Sequence, residues 1–197
     1  MKNFWDERYS AKEYVYGTIP NQFFKEVIDK LKPGRILMLG EGEGRNAVYA
    51  AMSGWHVDAI DSSSAAKEKA LKLAEQNHVS INYQVADISS YDFPKDKYDA
   101  VGIIFLHLNQ SDSEKLFRHC NNTLKKNGKI ILELFSKNQF GKTSGGPQDL
   151  SMLYSVKEIR KNFPTLKHEL LQEESIVLSE SKFHQGEASV IRFIGIK

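Results

Sequence analysis

A chain of 197 residues, 41% hydrophobic and 26% charged, is long enough to bury a core of its own without metal or disulfide staples. Its 27 Lys and Arg against 25 Asp and Glu exclude a strongly basic nucleic-acid arm and an acidic tail. The single Cys120 excludes an internal disulfide framework and a cysteine-based zinc site. The opening MKNFWDERYS has no apolar signal core, and no apolar run approaches the roughly 18 residues of a membrane span. The expectation is one domain in a reduced, cytoplasmic setting.

Apolar periodicity and turn signals map the elements in chain order. Residues 1–17 are aromatic-rich and weakly patterned. A helix is predicted from about Asn21 to Leu31, ended by Pro33-Gly34. RILML (35–39) is a short buried strand, Gly40–Gly44 a glycine-rich turn, and Arg45–Met52 a helix broken at Gly54. HVDAI (56–60) is a second strand ending at Asp61, after which Ser62-Ser63-Ser64 caps a helix over about Ala65–Gln76. INYQV (81–85) alternates as a third strand ending near Asp87. DAVGIIFL (99–106) is a continuous apolar run, as a central parallel strand should be. A helix follows over about Asp112–Leu124, and Asn127-Gly128 turns into a fifth strand, Lys129–Phe135.

Such alternation implies right-handed βαβ units and a parallel sheet covered on both faces. The end differs. After a short helix near Ser155–Asn162, two strands are predicted at about Leu170–Leu178 and Ser189–Ile196, separated by the polar turn SESKFHQGEA. The sheet should therefore finish in an antiparallel hairpin.

The clearest constellation is RILMLGEGEGRNAVYAA (35–51), a strand running into Gly40, Gly42 and Gly44 and then into a helix. Glycine permits tight turns and close approach of a ligand to the backbone, and ligands of such sheets bind at the carboxyl ends of the strands. Asp61 lies 21 residues after Gly40, where a carboxylate can accept both ribose hydroxyls. Asp87, at the end of the third strand, can accept from an adenine amino group, with the Ile88 amide donating to a ring nitrogen. The competing structural reading is that each Asp merely caps the element that follows. Together the three features describe a site for an adenosine-containing cofactor. The turn carries acidic side chains and no nearby Lys, and neither GxxxxGK[ST] nor GxGxxG is present, since position 45 is Arg. S-adenosylmethionine, which has no phosphate, suits this turn better than a dinucleotide.

On these motifs the chain resembles the class I S-adenosylmethionine-dependent methyltransferases, and more closely the tellurite-resistance-related (TehB-like) group. The matching stretches are FWDERY (4–9), YVYG (14–17) with Pro20-Asn21, LGEGEGRNAVYAA (39–51), AIDSSS (59–64), Ala86-Asp87, YDAVGIIFLHL (98–108) and GEASVIRFIGIK (186–197). The family commonly has a small residue or Cys where Glu41 stands. The resemblance implies a Rossmann-like α/β/α fold with a mostly parallel seven-stranded sheet of order 3-2-1-4-5-7-6, strand seven antiparallel. It implies cofactor binding by Gly40, Gly42, Asp61 and Asp87, in one domain over residues 1–197 with residues 1–20 as a cofactor-covering arm.

Further candidates surround that site. Trp5, Tyr9, Tyr14 and Tyr16 form either an arm packed on the domain or a cover that brings aromatic faces near a sulfonium, and Arg8 would bind the cofactor carboxylate or an anionic acceptor, or make a surface salt bridge. Glu41 faces the cofactor amino group or solvent. Asn46, beside Arg45, orients the turn or reaches the cofactor; Ser62 and Phe105 flank it after the second and fourth strands. A neutral hydroxyl or amine acceptor needs a general base, and two histidines qualify, His107 after the fourth strand and His184 in the last hairpin, each with the competing reading of a surface or supporting histidine. The polar loop 136–150 follows strand five on the ligand side, with Lys142 and Thr143 as candidate acceptor contacts. The absence of [ND]PP[YF] after strand four, the near-neutral charge and the lack of an RNA-binding extension favour a small-molecule acceptor over nucleic acid or membrane. No metal site is predicted, and the chain is expected to be a monomer or homodimer. Three functions stay open: a small-molecule methyltransferase acting on a thiol, a metalloid oxyanion such as tellurite, or a small metabolite; an NAD-linked oxidoreductase; and a non-catalytic S-adenosylmethionine-binding regulatory module.

Overall fold

Alternating side chains of the central strands divide the core into two layers. The structure, a computed structural model, describes residues 2–197; Met1 of the expected arm lies outside the described residues. In β1 (Arg35–Leu39), Ile36 and Met38 face one layer, Leu37 and Leu39 the other. The first layer is built by α2 (Gln22–Ile28), α3 (Arg45–Met52) and α4 (Ser64–Gln76), through Phe24, Ile28, Ala47, Val48, Ala70 and Leu73. The second is built by α5 (Gln110–Thr123) and α6 (Val156–Asn162), through Leu116, Phe117, Ile159 and Phe163.

Among the described residues, seven strands form one sheet in the order β3-β2-β1-β4-β5-β7-β6. The remaining strands are β2 (His56–Asp61), β3 (Asn82–Val85), β4 (Tyr98–Ile104), β5 (Leu124–Phe135), β6 (Lys167–Ser181) and β7 (His184–Ile196). β1 pairs in parallel with β2 and β4, β2 with β3, and β4 with β5; β7 runs antiparallel to both β5 and β6. This is the Rossmann-like order that the resemblance implied. The order reverses around β1 and β4, so the switch point lies at Gly40–Gly44. Because β6 is parallel to β5, the β6–β7 turn falls at the same sheet end as Gly40, Asp61 and Phe105.

Three expectations need correction. The weakly patterned N-terminus contains a helix, α1 (Lys2–Tyr9). β5 begins at Leu124 rather than Lys129: Tyr98 pairs with Leu124 and Ala100 with Lys129, so Lys125–Gly128 loop out between them with Asn127 left-handed at φ 64°. The polar segment SESKFHQGEA is mostly strand, with Ser179 opposite Gln185 and Ser181 opposite His184, leaving Lys182-Phe183 as the connection. Backbone bonds make that ladder whatever the polarity of its side chains, of which His184 is buried. Among the described residues no helix is long and apolar enough to cross a membrane.

Candidate active site

The glycine turn takes its shape from left-handed backbone. Gly40 and Gly42 sit at φ 62° and 61°, where a side chain strains the chain. A Cβ on Gly42 would also lie 2.8 Å from the Tyr9 hydroxyl oxygen, so glycine lets the arm close onto the turn. The Tyr83 hydroxyl donates to the Gly42 carbonyl at 2.7 Å from beneath.

Asp61 ends β2 beside this turn and is buried. Its Oδ2 accepts from the Gly42 amide at 3.0 Å and its Oδ1 from the Ser63 amide at 2.9 Å. Burial raises its pKa, against the bonds from Ser63, Gly42 and Ser62. As an acceptor with capacity beyond these backbone bonds, the carboxylate fits the two donors of a cis-diol. Ser62 is half-buried next to it, and the helix cap expected of the serines is made by Ser63, whose hydroxyl accepts from the Ala66 amide.

Glu41 does not face solvent. It is buried, and its Oε1 accepts from the amides of Asn46 at 3.0 Å and Ala47 at 2.7 Å. Those are the free N–H groups at the start of α3, where Gly44 has no side chain to cap them. Burial pushes the Glu41 carboxyl up to about 8. The second acid of the turn, Glu43, holds the arm: its Oε2 accepts from the Val15 amide at 2.7 Å and the Tyr16 amide at 3.3 Å, and its Oε1 pairs with Lys69 at 2.7 Å. The Asn46 Oδ1 orients the chain, accepting from the Asn21 amide at 2.9 Å.

The arm lies over this end. Asp6 Oδ1 accepts from the Ser63 hydroxyl at 2.7 Å and the Ser64 amide at 2.9 Å. Trp5 stacks on the buried Tyr9 at 5.5 Å. Arg8 lies over the Phe4 and Phe183 rings and donates to the Tyr16 hydroxyl at 3.2 Å. Tyr14 is turned to α4, its hydroxyl donating to the Lys69 carbonyl at 3.1 Å.

Asp87 is exposed, and its Oδ1 accepts from the Ser89 amide at 2.9 Å and hydroxyl at 2.8 Å. Those bonds lower its pKa and make it a turn cap, with Oδ2 uncommitted among the described residues. Ile88 is half-buried against the second core layer. Phe105, after β4, is left-handed at φ 53°, a sparsely populated state for a bulky residue and a mark of constraint. It stacks on Phe135 at 4.6 Å and meets His184 edge-on at 4.7 Å.

The two histidines differ. His107 has both ring nitrogens occupied by backbone: Nδ1 lies 2.8 Å from the Met152 carbonyl oxygen, and Nε2 accepts from the Phe135 amide at 3.3 Å. Burial brings its ring down to about 4. His184 is buried among Tyr16, Phe105 and Phe135, with Nδ1 2.9 Å from Glu180 Oε2. A Cβ on Gly145 would meet His184 Cδ2 at 2.8 Å, so the loop 136–150 closes against this ring at a glycine. In that loop Lys142 pairs with Glu187 at 3.1 Å and donates to the Ser189 hydroxyl at 2.9 Å.

Sequence reasoning missed Glu180, Glu133 and Asn21. Asn21 Nδ2 donates to Glu133 Oε1 at 2.6 Å and to Glu180 Oε1 at 3.3 Å, and Arg45 pairs with Glu180 at 2.9 Å. Burial opposes ionisation of Glu180, but the bonds from His184 and Arg45 prevail and bring its carboxyl down to about 2. The available signal was Glu133, an acid inside the apolar strand IILELF.

Comparison with known proteins follows the same lines. Residues 36–128 match the family described as a methyltransferase domain. A demethylmenaquinone methyltransferase of Thermotoga maritima is 31% identical over 116 residues, 57% of this chain and 49% of that protein. The chain thus spans about half the length of the curated relatives it matches. Two solved structures share the fold over 100% of this chain. One, from work on the conversion of a disulfide bond into a thioacetal group during echinomycin biosynthesis, has a TM-score of 0.78 at 15% identity and is 92% covered. The other, TehB from Haemophilus influenzae, has a TM-score of 0.73 at 14% identity and is 66% covered. The match to a methyltransferase domain thus runs through the glycine turn, on a sheet whose order is that of the Rossmann-like methyltransferase fold.

Proposed function

We propose that this chain transfers a methyl group from S-adenosylmethionine to a small-molecule acceptor, as one domain whose residues 1–20 cover the cofactor. The observation that carries the choice of cofactor is Glu41. A dinucleotide pyrophosphate takes the amides at a helix N-terminus. Here Glu41 already occupies the Asn46 and Ala47 amides, and Arg45 is held by Glu180. What remains is Asp61 for a ribose diol and the exposed Asp87 with the Ile88 amide for a base. Both needs are met by S-adenosylmethionine, which has no phosphate. This speaks against the NAD reading.

When bound, the cofactor supplies an electrophilic methyl on a sulfonium, and its departure leaves a neutral thioether. The chain then has three tasks. Asp61 and the turn orient the cofactor. Tyr9, Trp5 and Phe105 exclude water. His184 takes the proton from a hydroxyl or thiol acceptor as the new bond to carbon forms. Of the two candidate bases the geometry favours His184, because His107 has both nitrogens engaged. Small acceptors also fit the names of the relatives, demethylmenaquinone methyltransferase and ubiquinone biosynthesis O-methyltransferase. The acceptor classes in view are a thiol, a metalloid oxyanion such as tellurite, and a small hydroxylated metabolite.

The test is transfer of radiolabelled methyl from S-adenosylmethionine to a panel of thiols, phenols and tellurite. Product from the parent chain, with turnover lowered roughly 100-fold or more in His184→Ala for a hydroxyl acceptor, is the expected result. Equal turnover in the variant removes His184 as base. No product across a broad panel, with cofactor bound, favours a non-catalytic binding module.

A further inference from the structure

Glu180 lies at the end of β6 and His184 at the start of β7, so the hairpin turn folds one side chain back onto the other. The Glu180 carboxylate is surrounded by donors. Its Oε2 receives Arg45 Nη2 at 2.9 Å and faces His184 Nδ1 at 2.9 Å, while its Oε1 receives Asn21 Nδ2 at 3.3 Å. A guanidinium and an amide nitrogen can only donate, and an ionised carboxylate can only accept. The proton between Glu180 and His184 therefore sits on Nδ1. In the neutral ring the lone pair is then on Nε2, which has no hydrogen-bond partner among the described residues. The ring is walled by Tyr16, Phe105 and Phe135 at centroid distances of 4.8, 4.7 and 5.5 Å. Charged and titratable groups nearby are Arg45 from α3, Glu133 from β5 (reached through Asn21), His107 after β4, and Tyr16 of the arm.

We propose that Glu180 is a positioning residue: it fixes His184 in the Nδ1–H tautomer, leaving Nε2 as the free basic nitrogen among the aromatic rings. Arg45 and Asn21 hold the carboxylate in place. Arg45 follows Gly44 directly and Asn21 caps α2, so the orientation of this imidazole is tied to the glycine turn. The tautomer follows from hydrogen-bond chemistry alone; its use in catalysis rests on the methyltransferase reading with His184 as base.

The experiment is nitrogen-15 NMR of the histidine rings in the parent chain, Glu180→Ala and Glu180→Gln. It is run at about pH 8.5, well above the ordinary imidazole pKa of ~6.5, with His184→Ala identifying the signal. The parent should show a protonated Nδ1 and an unprotonated Nε2. Glu180→Ala should lose that signature in favour of the opposite tautomer. Glu180→Gln should keep it, because Arg45 and His184 both donate to the Oε2 position and draw the amide oxygen there. A parent with its proton on Nε2, or a Glu180→Ala chain indistinguishable from the parent, overturns the proposal. The measurement needs neither cofactor nor acceptor. A failure of cofactor binding, seen separately by titration with S-adenosylhomocysteine, counts against the methyltransferase reading and leaves the tautomer result standing.

Discussion

At Glu41 the glycine turn departs from the pattern of the family it resembles, and the chemistry of this residue can be measured. Both of its bonds end on one oxygen, so the neutral acid caps α3 as the carboxylate does. Burial is the main cause of its rise to about 8, against the Ala47 and Asn46 amides and the Arg45 charge. An unfolded glutamate titrates near ~4.3, so the folded state holds the proton more tightly. Stability from this group is then complete below about pH 4 and is lost as pH rises toward 8. Melting temperature followed across that window should fall with rising pH. Glu41→Gln keeps an acceptor for the two amides and should flatten the fall; a variant with the parent's profile would show that Glu41 is not its source.

Helix α1 makes the same point for an element. It has no acidic residue in its first turn, and at eight residues it is too short to persist alone. What holds it is tertiary: Asp6 at the start of α4, Tyr9 against Gly42, and Glu43 on the backbone of Val15 and Tyr16. Asp6→Ala should therefore speed hydrogen exchange in residues 4–17 while leaving the central strands protected, as mass spectrometry of peptic fragments would read. Slowed or unchanged exchange there would mean that Asp6 does not pin the arm. This dependence also explains what the sequence made legible. The strands and helices between Arg35 and Phe135 carry their own periodicity and turn residues, and they are recoverable to within a few residues except where Leu124 starts β5 early. Helix α1 draws its order from partners 27 to 58 residues away, which no local pattern encodes. The β6–β7 ladder ran past its expected ends because pairing uses the backbone, whatever the polarity of SESKFHQGEA.

At the scale of the whole molecule, the topology gathers one site from seven separated stretches. Parallel strands deliver Gly40, Asp61, Asp87 and Phe105 to one end of the sheet, and these positions were legible because each lies at a strand's carboxyl end or within two residues of it. The antiparallel β7 brings His184 to the same end, which the predicted hairpin already required. The Asn21, Glu133 and Glu180 cluster was not legible: Asn21 and Glu180 are 159 residues apart and meet only when α2, β5 and the hairpin are in place. Polar residues of that kind look like solvated surface until the fold buries them. On the proposed function, this assembled end binds an adenosine cofactor without phosphate. Calorimetric titration with S-adenosylhomocysteine, with NAD as the control and Asp61→Ala as the comparison chain, tests it most directly. Micromolar binding of S-adenosylhomocysteine is expected, with none of NAD and a loss of about 1–3 kcal/mol in Asp61→Ala. Binding of NAD instead, or no binding of S-adenosylhomocysteine by the folded parent chain, would contradict it.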